Sequence, residues 1–129
     1  MNEKDYLDLI DNRKTNFIGA DLKDADLRYM SKIGGDFSNA DLQGADMFDA
    51  FFKNINFKDA DLRGADLSWI FLINVNLTGA DLRGANLLNA RLHGVNLSGA
   101  DLRHAFLQNV DLRETDLSGA DLRDSEGLR

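Results

Sequence analysis

Every fifth residue from Phe17 to Leu122 is large and apolar: Phe17, Leu22, Leu27, Phe37, Leu42, Met47, Phe52 and so on in one frame to Leu117 and Leu122. Lys32 is the only exception among 22 positions, so the spacing is a structural rule and not a chance run. Two residues earlier stands a small or β-branched residue, most often Ala, as at Ala20, Ala40, Ala60 and Ala80. A period of five fits neither a helix nor a long strand. Apolar residues two apart point to one side of an extended chain, so the other three must turn it. Two places after each central residue stands Gly or Asn at 14 of 22 corners, and these residues accept the positive φ of a type II turn. The other eight corners hold Asp24, Tyr29, Asp49, Asp59, Trp69, His104, Glu114 and Asp124. Their side chains disfavour positive φ and predict type I or irregular corners.

Variation between the units has its own period of twenty. Ala-Asp-Leu falls at 20–22, 40–42, 60–62, 80–82, 100–102 and 120–122, and Phe stands at 17, 37 and 57. If residue n stacks on residue n+20, like lies on like and each coil has four sides. Residues 15–124 then make about 5.5 coils. At the spacing of a β-ladder the rod is roughly 26 Å long. Stacking buries a continuous core that no single coil could bury.

These Ala-(Asp/Asn)-Leu-x-x units resemble those of pentapeptide-repeat proteins, over about residues 15–124. The resemblance implies an all-β, right-handed quadrilateral β-helix with the central residue and the one two before it pointing inward. It implies no single function, because that family's functions are diverse.

The ends read differently. Residues 1–14 predict a capping segment whose short helix spans 2–13, with Asn2 as N-cap, Glu3 and Asp5 in the first turn, and Arg13 and Lys14 in the last. Tyr6, Leu7 and Ile10 share a face expected to close the first coil. Residues 125–129 form a tail, leaving the last coil to be capped by Leu128 or paired with a second copy. Lys32 cannot sit unpaired in an apolar interior. The run Met-Ser-Lys-Ile-Gly-Gly therefore predicts a bulge that swings Lys32 into solvent.

Composition narrows the chemistry. Without cysteine there is no thiolate nucleophile or Cys-based metal site, and a reducing, cytoplasmic setting fits. The acidic start is unlike a signal peptide, and no apolar run approaches a membrane span. A net charge of −7 opposes direct binding to nucleic acid or an anionic membrane. His93 and His104 fall on different sides as surface residues, no catalytic motif is present, and a filled cylinder offers no cleft. The reading is a non-enzyme with no cofactor, metal site or catalytic residue. Asp21, Asp41, Asp61, Asp81, Asp101 and Asp121 predict an acidic column, compensated two residues on by Lys23, Gln43, Arg63, Arg83, Arg103 and Arg123.

One signal remains. Positions beside the central residue should be polar, yet Phe48, Leu88 and Phe106 lie on the third side of the coils, and Ile33, Phe51, Phe71 and Ile73 on the fourth. Tyr29 and Trp69 stand at the corner between them. The candidate partner-binding residues are Tyr29, Phe48, Phe51, Trp69, Phe71, Ile73 and Leu88. They predict an interaction module or scaffold that binds a protein partner through an apolar corner, as a monomer or weak end-to-end homodimer. The alternative is an acidic mimic of duplex DNA that inhibits a gyrase-like topoisomerase, an activity the family resemblance also implies for some members.

Overall fold

The computed structural model describes residues 2–128. One helix, α1 (Glu3–Ile10), precedes short parallel strands: β1 (Ser31–Asp36), β2 (Phe51–Asn56), β3 (Phe71–Ile73), β4 (Arg91–His93), β5 (Val95–Asn96) and β6 (Thr115–Asp116). The first four form one sheet in chain order, in which Ser31 pairs with Phe51, Phe51 with Phe71 and Phe71 with Arg91. Each step is twenty residues. Isolated bridges carry the same register along the other sides, from Asn16–Asp36 to Phe106–Glu126. The fold is thus a β-solenoid of stacked coils with a short N-terminal helix. Its ladder continues to Glu126, beyond the residue-124 boundary read from the sequence.

The repeating ladder has a simple grammar. The central residue's N–H donates upward, as from Leu42 to the Asp61 carbonyl (2.7 Å), and the preceding Asp41 N–H donates downward to the Ala20 carbonyl (2.9 Å). The Asp or Asn carboxyl or amide oxygen also accepts the N–H two residues on, as Asp61 Oδ1 does from Arg63 (3.2 Å). Such Asx turns hold each corner locally, which accounts for the acid or amide recurring at that place. The core is the two inward columns: Ala60, Ala80, Leu82 and Ala85 are sealed from solvent, and Phe17 stacks on Phe37 with ring centroids 4.6 Å apart.

Several expectations are corrected. Seven of the eight corner residues without Gly or Asn do adopt positive φ, from 55° to 62°; only Glu114 does not. At six of the seven, the corner N–H donates to a carbonyl one coil on, as from Tyr29 to Phe48 (2.9 Å) and from Trp69 to Leu88 (2.9 Å), and this bond holds the left-handed conformation. α1 ends at Ile10, so Arg13 and Lys14 lie outside its last turn. Asn2 does cap it, accepting the Asp5 N–H at 2.9 Å. Leu9 is the helix residue that enters the core, while Tyr6, Leu7 and Ile10 stay exposed. Leu128 is also exposed.

Lys32 is the largest correction. There is no bulge: Lys32 pairs in register with Phe52 and is fully buried. Its ammonium donates to the carbonyls of Asp11 (2.9 Å) and Lys14 (2.8 Å) and lies 5.1 Å from the centre of the Phe17 ring. The segment after α1 crosses below this column and supplies those oxygens, so the charge is met inside. Burial pushes the ammonium's pKa below its usual 10.5, against a partial upward pull from Asp11.

Candidate functional site

Two outer faces are built differently. On the second side, each arginine grips the aspartate two residues before it through Asx-held geometry: Arg63–Asp61 (2.7 Å), Arg83–Asp81 (2.6 Å), Arg103–Asp101 (2.7 Å) and Arg123–Asp121 (2.6 Å). Each of the first three also leans towards the aspartate one coil on, at 3.7–3.8 Å. Hydrogen bonds from the guanidinium hold Asp61 and Asp101 below the ordinary 3.8, and hold Asp121 down to about 2. From Asp61 on, the expected acidic column is therefore an interlocked ladder of ion pairs, while Asp41 accepts from the Gln43 amide at 3.2 Å.

The corner between the third and fourth sides carries the apolar candidates. Tyr29 and Trp69 are 64% and 52% exposed, and their backbones are left-handed at φ 62° and 60°. Bulky residues rarely accept that conformation, so both are held there by the ladder. Phe48, Phe51, Phe71, Ile73 and Leu88 are half-buried. Two groups form. Tyr29 meets Phe48 edge to face, centroids 5.7 Å apart. On the sheet face Phe51 meets Phe71 edge to face at 5.5 Å, and the Arg91 guanidinium lies 4.2 Å above Phe71. Ile73 follows on the same strand, in register with Lys53 and His93. Asp49 stands between Tyr29 and Trp69 in the corner column, and buried Ser68 stands between Phe48 and Leu88 in theirs. The seven residues thus share one corner without forming one continuous apolar sheet.

Arg91 and Lys53 were missed by sequence reasoning, which searched these columns for apolar residues alone. A signal was present: Arg91 occupies a place where Asp or Asn is the rule, directly after Phe51 and Phe71 in the column. The N-terminal segment reaches this face at its margin, where the Ile33 N–H donates to Asn12 (3.2 Å).

Elsewhere the chemistry is sparse. His93 Nδ1 lies 2.7 Å from Glu114, and His104 lies 4.0 Å from Asp124, both pairs in solvent. Among the described residues no group of three metal-ligating side chains is gathered. No helix among them is long and apolar enough to cross a membrane.

Comparison with known proteins agrees with this architecture. The family model for pentapeptide repeats matches with eight copies, over residues 36–72, 60–99, 72–109 and 90–126. No curated protein matches. Among solved structures, Rfr23, a pentapeptide repeat protein from the cyanobacterium Cyanothece 51142, is 38% identical with a TM-score of 0.71, covering 74% of this chain and 65% of its own. A pentapeptide repeat protein of the Arabidopsis thaliana thylakoid lumen is 37% identical with a TM-score of 0.66, covering 78% of this chain and 66% of its own. The chain thus spans just under two thirds of the length of both. QnrB1, a plasmid-mediated fluoroquinolone resistance protein, is 24% identical with a TM-score of 0.52, covering 86% of this chain and 73% of its own, a likeness of fold alone. A five-residue clock, a twenty-residue ladder and eight matched copies lead to one conclusion: the chain belongs to the pentapeptide repeat family.

Proposed function

We propose that this protein is a non-enzymatic interaction module that binds a protein partner through the corner bearing Tyr29, Phe48, Phe51, Trp69, Phe71, Ile73 and Leu88. One observation carries the reading. Tyr29 and Trp69 stand exposed at left-handed corners where Gly would meet no steric penalty, and each costs roughly 1–2 kcal/mol there. Asp24, Asp49, Asp59, His104 and Asp124 share that conformation, so what marks these two corners is a large aromatic side chain held out into solvent. Aromatic anchors also dominate the energetics of protein interfaces. The proposal includes a cytoplasmic setting and a monomer or weak end-to-end dimer; family membership alone does not choose the compartment, since one relative comes from a thylakoid lumen.

The alternative, an acidic mimic of duplex DNA acting on a gyrase-like topoisomerase, finds less support. A mimic needs unpaired negative charge at regular spacing, and the second side couples Asp61, Asp81, Asp101 and Asp121 to arginines along the ladder.

The test uses Tyr29→Gly with Trp69→Gly, because glycine accepts the backbone already present. Proteins recovered from native lysate by the wild type should be lost with the double variant, while its melting temperature holds or rises. Equal recovery by both forms would remove the corner from consideration. A gyrase supercoiling assay checks the alternative: inhibition by both forms alike would move the function to the acidic faces.

A further inference from the structure

We infer that the partner presents carboxylates beside apolar side chains, and that the outer face of the β1–β4 sheet reads them through Arg91 and Lys53. This rests on the interaction reading above and adds the chemistry of what is bound. The outward positions of 31–33, 51–53, 71–73 and 91–93 are Ser31, Ile33, Phe51, Lys53, Phe71, Ile73, Arg91 and His93. None is acidic, in a chain whose net charge is −7. The face therefore runs against the charge of the molecule that carries it.

Arg91 is the decisive residue. Every other arginine among the described residues grips a carboxylate within 4.0 Å; Arg91 grips none. The acid one coil on, Asp111, is in register with Arg91 but gives its carboxylate to Arg113 at 2.7 Å and 2.9 Å. Glu114, the next acid on this side, is taken by His93 at 2.7 Å. Lys53 has no carboxylate within 4.0 Å among the described residues either. The Arg91 guanidinium instead rests 4.2 Å above the Phe71 ring. That stacking orients the planar group and leaves its N–H edge free for a carboxylate, the ligand its geometry fits in two-point fashion. Phe51, Phe71 and Ile73 supply the apolar floor beside it. An arginine held on an aromatic ring, with both neighbouring acids already occupied, is arranged for a carboxylate from outside the chain.

A fluorescein-labelled twelve-residue peptide alternating Glu and Leu serves as the probe, against the same peptide with Gln or Lys in place of Glu. Anisotropy titration of the wild type should show binding of the Glu peptide that weakens with added salt, as charge pairing on a surface must. Arg91→Gln with Lys53→Gln should weaken it about tenfold or more, as losing a charge-assisted two-point contact does. Tyr29→Gly with Trp69→Gly reports on the aromatic corner separately. Equal binding of the three peptides, no binding of the Glu peptide to about 1 mM, or unchanged affinity in the Gln variant would each overturn the inference. None of those results would restore lysate proteins lost by the aromatic variant, so the two readings fail independently. Sedimentation without peptide covers a second copy as occupant: self-association abolished by the Gln variant would also overturn the inference.

Discussion

At the scale of the residue, Lys32 shows how a solenoid ends without leaving a charge stranded. Its position belongs to the inward column that elsewhere holds Leu, Phe or Met. Where the segment 11–14 crosses the first coil, backbone carbonyls face that column and need donors. An apolar residue there would leave both unsatisfied, at about 1–3 kcal/mol each. Lys32→Met should therefore release the N-terminal segment. Hydrogen exchange should accelerate through residues 3–14 while the amides of residues 60–100 keep their protection. Uniform change along the rod, or none, would show that the two bonds do not hold the segment. Gly35 is the other special residue here. At φ 149° a side chain would be strained, and an added Cβ would come within 3.0 Å of the Phe37 ring. Glycine at 35 thus lets the Phe37 ring pack against the first coil's backbone.

At the scale of the element, the second side behaves as one electrostatic unit. Asp61, Asp101 and Asp121 have pKa values below 3.8, with Asp121 down to about 2. Asp111, held by Arg113 on another side, also sits at about 2. A carboxylate depressed in the folded state contributes stability above its unfolded value and loses that contribution as pH falls through its folded value. The melting temperature should accordingly change little from these groups between pH 7 and about 5, then decline between about 4 and 2. Arg103→Gln, which removes the guanidinium that holds Asp101 down and also faces Asp121, should flatten that decline. An acid limb of equal depth in both proteins would mean that the ladder is ornamental to stability. The fourth side has a different construction. Ser31, Phe51, Phe71 and Arg91 stand where Asp or Asn would make an Asx turn, and here the chain runs as strands β1–β4. Loss of the local turn-former goes with a more strand-like wall, which is also the wall carrying Phe51, Phe71, Lys53 and Arg91.

At the scale of the molecule, contacts run from residue n to n+20 and little farther, so stability sums over neighbouring coils. Removing residues 61–80 restores every column to phase and should leave a shorter, folded rod with a lower melting temperature. Removing only 61–65 sets every later coil one side out of phase with the earlier ones, placing Phe71 upon Asp46 and Arg83 upon Lys58. That five-residue deletion should cost more stability than the twenty-residue one, despite deleting less core. The reverse order, by circular dichroism melting, would show that the twenty-residue matching is incidental.

Much was legible before the structure because a strict repeat turns a long-range problem into a local one. The inward columns, the twenty-residue register, the Asp–Arg ladder and the stacking of Phe51 on Phe71 all follow from spacing alone, since each residue's neighbours are its own counterparts one coil away. Three things were decided only by tertiary structure. Corner conformation was one: intrinsic preference argued against positive φ at Tyr29 and Trp69, but the ladder bonds that their N–H groups donate to Phe48 and Leu88 outweigh a local cost of roughly 1–2 kcal/mol. The fate of Lys32 was another, because its partners are carbonyl oxygens from a non-repeating segment, and a backbone oxygen leaves no mark in a sequence. The freedom of Arg91 was the third. Whether an arginine pairs depends on where every nearby carboxylate has gone, and only the folded chain shows that Asp111 and Glu114 were already taken.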